Sequence, residues 1–255
     1  MPSFGVSIAV LSLVQAALVA LPKARDLTLP ARLRSPWWAL VPAGSIVVVI
    51  VVVNFYAGSA TALAWLALVG VPPFAALALA VLLRGSRPVW ALAVVPLFAL
   101  AWASTGSLAG ESAALALSGL GCIGLGWLLV SVVPAYWLKL GIYAMAAIDT
   151  WLVASDLLQG PNATLTAASA GALPRLHVAH FGSAQMGFGD LFIAATVGCL
   201  LAAGRRRQLQ AAALALAFGL AFDLLFLAVD ELPATVPVAL ALATVELRGR
   251  RTAGQ

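Results

Sequence analysis

Apolar stretches, each near the length a helix needs to cross a bilayer, follow one another along this chain with only short polar breaks between them. They fall at roughly 4–21, 37–55, 59–83, 89–104, 112–133, 136–158, 184–203, 209–229 and 233–247. In hydrocarbon every backbone N–H and C=O must be satisfied within the segment, so runs of this length are expected to be helices. The ten-residue alternation of barrel strands is missing from the pattern. The third run contains Gly70-Val71-Pro72-Pro73, which should kink its helix without ending it. The expected fold is therefore all-α: a polytopic membrane protein of about nine transmembrane helices. It forms one integral membrane domain over 1–255, with a five-helix part at 1–133 and a second part at 134–255.

Composition agrees with the pattern. Of 255 residues, 63% are hydrophobic and 9% charged, with a mean hydropathy of +1.06, too few charges to cover a water-facing surface. The net charge of +5 does not point to nucleic acid, because the cations crowd the ends of the apolar runs. Lys23, Arg25, Arg32 and Arg34 follow the first run; Arg84 and Arg87 follow the third. Lys139 opens the sixth, Arg205 to Arg207 follow the seventh, and Arg248, Arg250 and Arg251 follow the ninth. With nine crossings all of these share one face and only Arg175 lies opposite. Positive-inside bias then puts the N-terminus outside and the C-terminus in the cytoplasm of a prokaryotic plasma membrane. No basic residue precedes the first run, so it reads as a retained span and not as a cleavable signal. Trp37, Trp38, Trp90 and Trp137 lie near run ends, as interface anchors do. Gly119, Gly121, Gly124 and Gly126 read as a helix-packing stripe, since no strand or basic residue accompanies them as a nucleotide loop requires. Cys122 and Cys199 read as small apolar fillers.

Acids inside apolar runs change the picture most. Centring one in a bilayer costs about 2.5–3.5 kcal/mol, and intramembrane acids are functional by default. Asp190 closes Gly187-Phe188-Gly189-Asp190 in the seventh run, where the glycines permit close approach of a neighbour. Asp149 lies in the sixth. Counting from the run ends at 1.5 Å per residue, both sit roughly 9–14 Å below the outer boundary, so antiparallel helices can bring their carboxyls within about 4–8 Å. Two carboxyls in low dielectric share one proton. The ionised one then activates water against a peptide carbonyl while the protonated one donates to the carbonyl oxygen. Neither a metal nor an organic cofactor is required. Asp156, seven residues after Asp149 and on the same helical face, is the second candidate for the sixth run. Asp223 stands at comparable depth in the eighth. Asp230 and Glu231 are expected in a solvated outer turn. The loop at 159–183 carries the turn signal Gly160-Pro161-Asn162, and its His177 and His180 are expected to be exposed and not metal ligands.

Taken together, Asp149 on the sixth run, Gly187-Phe188-Gly189-Asp190 on the seventh and Pro233-Ala234 at the start of the ninth resemble the presenilin/signal peptide peptidase family. The members of that family are nine-helix intramembrane aspartyl proteases. The resemblance implies a presenilin-like helical bundle in which Asp149 and Asp190 are the catalytic pair. It implies active-site packing by Gly187, Phe188 and Gly189, and a substrate-positioning segment Pro233-Ala234-Thr235. The substrates implied are transmembrane proteins or signal peptides in the lipid bilayer. Ile148 stands where the family has tyrosine, and Thr235 where it has the leucine of Pro-Ala-Leu. The Gly-x-Gly-Asp motif also resembles that of type IV prepilin peptidases, which would keep the same pair. From another class, a proton-coupled transporter would use Asp149, Asp190 and Asp223 as a relay.

Overall fold

The computed structural model describes residues 2–25, 34–56, 58–157, 159–227, 229 and 231–253. About three quarters of it is helix: α1 (Phe4–Ala20), α2 (Leu40–Phe55), α3 (Ser59–Leu77), α4 (Val94–Ala103), α5 (Leu108–Val132), α6 (Ala135–Ala154), α7 (Gln159–Ala167), α8 (Phe188–Leu201), α9 (Arg205–Asp223) and α10 (Thr235–Ala253). Short 3-10 turns lead into α2 and α4 and extend α9. Among the described residues four helical units are long and apolar enough to cross a membrane: 59–82, 108–132, 135–154 and 205–227. A fifth arises if the bent pair Pro36–Pro42 and Val47–Val53 is one span, while Phe4–Ala20, Pro88–Ala103 and Phe188–Leu201 are apolar but shorter. The molecule is thus an all-α, membrane-embedded protein.

Pro72 and Pro73 lie inside α3 without ending it, and the helix widens into a π turn over Ala78–Leu82. Missing proline donors free carbonyls one turn back, and such irregularity is tolerated where neighbouring helices enclose it. The neighbour is α5, the hub of the bundle, whose glycines receive the other helices. A Cβ at Gly121 would lie 2.9 Å from Val71 Cγ1, one at Gly124 2.6 Å from the Phe74 carbonyl oxygen, and one at Gly126 2.9 Å from the Thr196 nitrogen. The stripe is a packing surface against α3 and α8, as its spacing predicts. Cys122 and Cys199 tie the same interface, their thiols pointing at the carbonyls of Phe188 (3.9 Å) and Ile123 (3.7 Å).

Cation-bearing helix ends gather at one end of the bundle. Lys23 N–H donates to the Leu82 carbonyl (2.8 Å), joining the ends of α1 and the α3 unit. The buried Gln208 of α9 donates to the carbonyls of Pro22 (2.8 Å) and Gly198 (3.1 Å) and accepts from Arg84 and Arg205, both at 3.1 Å. Arg205 also reaches the Ala20 carbonyl, and Lys139 on α6 pairs with Glu246 on α10. Trp37, Trp90 and Trp137, all exposed, stand at helix starts near this end.

Two expectations fail at the opposite end. The run 184–203 is not helical throughout: Val178–Phe181 and Ala184–Gly187 pair as an antiparallel hairpin, β1 and β2, and α8 starts only at Phe188. The two-residue loop Gly182-Ser183 opens on a glycine at φ +61°, the geometry tight hairpins need. Gly160-Pro161-Asn162, expected as a turn, lies in α7, because proline in a first helical turn sacrifices no hydrogen bond.

Candidate active site

The hairpin end of the bundle holds the candidate acids. Asp149 lies on the buried face of α6 with Leu138, Ile142, Met145 and Leu152, and only 8% of its surface is exposed. Its Oδ2 accepts a 2.6 Å hydrogen bond from the Thr235 hydroxyl, and the Thr235 backbone N–H is directed at the same carboxyl. Thr235 is the first residue of α10, so Asp149 caps from across the bundle a helix to which it does not belong. Asp190 is the third residue of α8. Its Oδ2 accepts the Gly187 N–H at 3.1 Å, reaching back over the start of its own helix. The two carboxyls lie within Coulombic reach of one another.

Local sequence explains the approach. Gly187 sits extended (φ −64°, ψ 147°) at the hairpin-to-helix junction, and a Cβ there would lie 3.0 Å from Asp190 Oδ2. At Gly189 a Cβ would meet Met145 Cε at 3.3 Å, and Met145 is one turn before Asp149 on α6. One glycine therefore leaves room for the Asp190 carboxyl, and the other leaves room for the tip of the Met145 side chain, which α6 presents one turn before Asp149. Phe188 is half-buried and packs against the core, its carbonyl facing Cys122 of α5. Pro233 and Ala234 form the approach to α10, Pro233 buried, and the Ala234 carbonyl accepts from Gln15 of α1 at 3.1 Å. Pro237 has no N–H to offer the Pro233 carbonyl, but the Val236 N–H bonds it at 3.2 Å in a tight first turn.

Other sequence candidates are placed elsewhere. α6 stops at Ala154, and Asp156 lies beyond it, exposed and left-handed (φ 54°), accepting from Gln159 at 3.3 Å. It does not share the Asp149 face. Asp223 accepts from Ser12 of α1 (3.0 Å) and not from either candidate acid. Asp230 lies outside the described residues; Glu231 is half-buried in the connection before α10. His177 is also half-buried and not exposed, bonded through Nε2 to the Leu165 carbonyl (2.9 Å). Burial, helped by the Arg175 charge and opposed by the Leu165 bond, holds its imidazole below the ordinary histidine range. His180 pairs with Glu111 (3.2 Å), whose second oxygen takes the Gly182 N–H at 2.8 Å and so pins the hairpin turn to the start of α5.

Gln15, Ser12 and Glu111 do not stand out in the sequence as site residues. The signal available was an amide and a hydroxyl inside an apolar run, both buried in the structure. Comparison with protein-family models, with curated proteins and with solved structures finds no match for this chain.

Proposed function

We propose that this protein is an intramembrane aspartyl endopeptidase, cutting transmembrane proteins or signal peptides with the pair Asp149 and Asp190. The observation that carries the reading is that two acids from different helices of an apolar bundle lie within Coulombic reach of one another. Helix capping accounts for one oxygen of each carboxyl. It gives no reason for bringing a second acid near the first, when an acid centred in hydrocarbon costs about 2.5–3.5 kcal/mol and one nearer the helix end still loses solvation. A shared proton gives that reason: one carboxyl activates water, the other donates to the scissile carbonyl, and the roles reverse as the gem-diol collapses.

The order of parts supports the same reading. An acid on α6, Gly-x-Gly-Asp at the start of α8 and Pro-Ala before α10 resemble the presenilin/signal peptide peptidase arrangement, with Gly187, Phe188 and Gly189 as packing and Pro233 to Thr235 beside the acids. Nine crossings, counting the bent pair, the three shorter apolar helices and also α10, put the cation-rich end in the cytoplasm and the N-terminus outside. Both acids lie close to the ends of their helices, so water need travel only a short way from the outer face. β2 ends three residues before Asp190, and a strand edge so near the acids suits a substrate segment that has unwound.

The test is cleavage of a single-span substrate by purified protein. Asp149→Ala and Asp190→Ala should each abolish it, with the double variant no worse than either, while Asp156→Ala and Asp223→Ala retain activity. Cleavage that survives in Asp190→Asn protein would sink the proposal.

A further inference from the structure

Three polar residues of α1 reach other elements: the hairpin turn, the end of α9 and the approach to α10. Ser7 accepts from the Ser183 N–H in the hairpin turn (3.2 Å), Ser12 donates to Asp223 (3.0 Å), and Gln15 donates to the Ala234 carbonyl (3.1 Å). All three are buried, Gln15 at 3% exposure. In an apolar helix such groups are retained at a cost, because their interhelical bonds in lipid stabilise only modestly. Gln15 is the informative one, because its acceptor belongs to the residue before Thr235. The amide therefore fixes the carbonyl on one side of the 234–235 peptide, and the Thr235 hydroxyl on the other side fixes Asp149 Oδ2 at 2.6 Å. The connection runs without a gap from α1 to α6, through Gln15, Ala234, Thr235 and Asp149.

We infer that Gln15 and Thr235 are positioning residues acting in series on Asp149, which makes α1 part of the catalytic machinery. The inference rests on the two-aspartate reading above. Thr235 holds the acid in place and does not contact substrate through its hydroxyl. Threonine is β-branched, which restricts its χ1, and its hydroxyl is a short donor, which suits it to hold a carboxyl, whereas a leucine side chain at 235 would supply no donor. Gln15 sets the depth of the peptide from which that donor projects.

Full-length protein in nanodiscs with a single-span substrate tests this. Thr235→Val removes the hydroxyl at nearly constant volume, Thr235→Ser keeps it, and Gln15→Met removes the amide at similar length. Thr235→Val and Gln15→Met should each lower kcat by about five- to a hundredfold, the span expected when a buried polar partner is lost. KM should hardly move, and Thr235→Ser should recover most of kcat. The double variant should fall little below Thr235→Val, since both act on one acid. The carboxyl-stretch infrared band of Asp149, assigned by its loss in Asp149→Asn, should shift in Thr235→Val and Gln15→Met and return in Thr235→Ser. That readout needs no turnover, and should Thr235→Val fail to fold, Gln15→Met and Thr235→Ser carry it. Wild-type kcat with an unmoved band in the folded variants overturns the inference. Cleavage by Asp149→Asn or Asp190→Asn overturns the protease reading instead, and the band still decides the positioning.

Discussion

Replacing Gly198 with alanine should wedge α1 away from α8, the helices that carry Gln15 and Asp190. A Cβ at 198 would lie 2.4 Å from the Leu18 carbonyl oxygen and 2.8 Å from that of Val19. A carbon and a carbonyl oxygen rest at about 3.3 Å or more, so the helices must part by roughly 0.9 Å. Overpacking of this kind costs about 1–3 kcal/mol, while alanine recovers about 0.8–1.0 kcal/mol of helix propensity. Both obstructing atoms are backbone, and the end of α1 is tied down by Gln208 and Arg205, so relief by a side-chain rotation is denied. The upper end of the range applies, leaving a net loss of about 2 kcal/mol and a melting temperature lower by roughly 4–8 °C. Gly70→Ala is the internal control, since its Cβ meets nothing within 4 Å. Melting followed by a thiol-reactive dye on the buried Cys122, in a Cys199→Ala background, reads both variants. Gly198→Ala protein that melts at or above its parent would refute the packing argument.

Further outcomes follow from polar groups away from the acids. Gln208→Leu removes four hydrogen bonds from the cation-rich end, two donated by its amide nitrogen and two accepted by its one amide oxygen, and strands the Pro22 and Gly198 carbonyls, so it should cost about 3 kcal/mol or more in the same melting assay. His177 is held below the ordinary histidine value, so the unfolded chain binds more protons than the folded one between the two pKa values. Its contribution is therefore fully present above the unfolded value and is lost as pH falls through the folded one. Hydrogen exchange of the loop at 165–177 should accelerate in that acid window, and His177→Gln should flatten the dependence.

The helical bundle was legible because each element is a long apolar run bounded by polar punctuation, and lipid leaves such a run one satisfactory backbone conformation. The glycine stripe of α5 was legible for the same reason, since small residues in an apolar helix have packing as their main use. The hairpin at 178–187 was not. Ala184, Met186 and Phe188 extend the apolar character of α8 backwards, and period-two alternation over four residues is too short to stand out against it. Only Gly182-Ser183 marked the turn. The place of Asp156 was hidden because apolar character continues past it through Leu157, whereas α6 ends at Ala154 and the chain turns through a left-handed residue. The acids themselves were legible through their cost in hydrocarbon. Of their anchors, Thr235 was legible only as part of the Pro233-Ala234-Thr235 segment and not as a partner of Asp149, and Gln15, which acts through the Ala234 carbonyl, was not legible, because neither is close in sequence to what it bonds.

The reach of α1 bears on how the chain is made. Ser12 and Gln15 find their partners 211 and 219 residues further on, in segments synthesised long after α1 has left the ribosome. Until α9 and α10 arrive, a helix of 17 residues must hold a hydroxyl and an amide in lipid with no tertiary acceptor for either. The polar cost of α1 in lipid is therefore offset only by helices made at the far end of the chain, which couples the burial of its first helix to the docking of its last two.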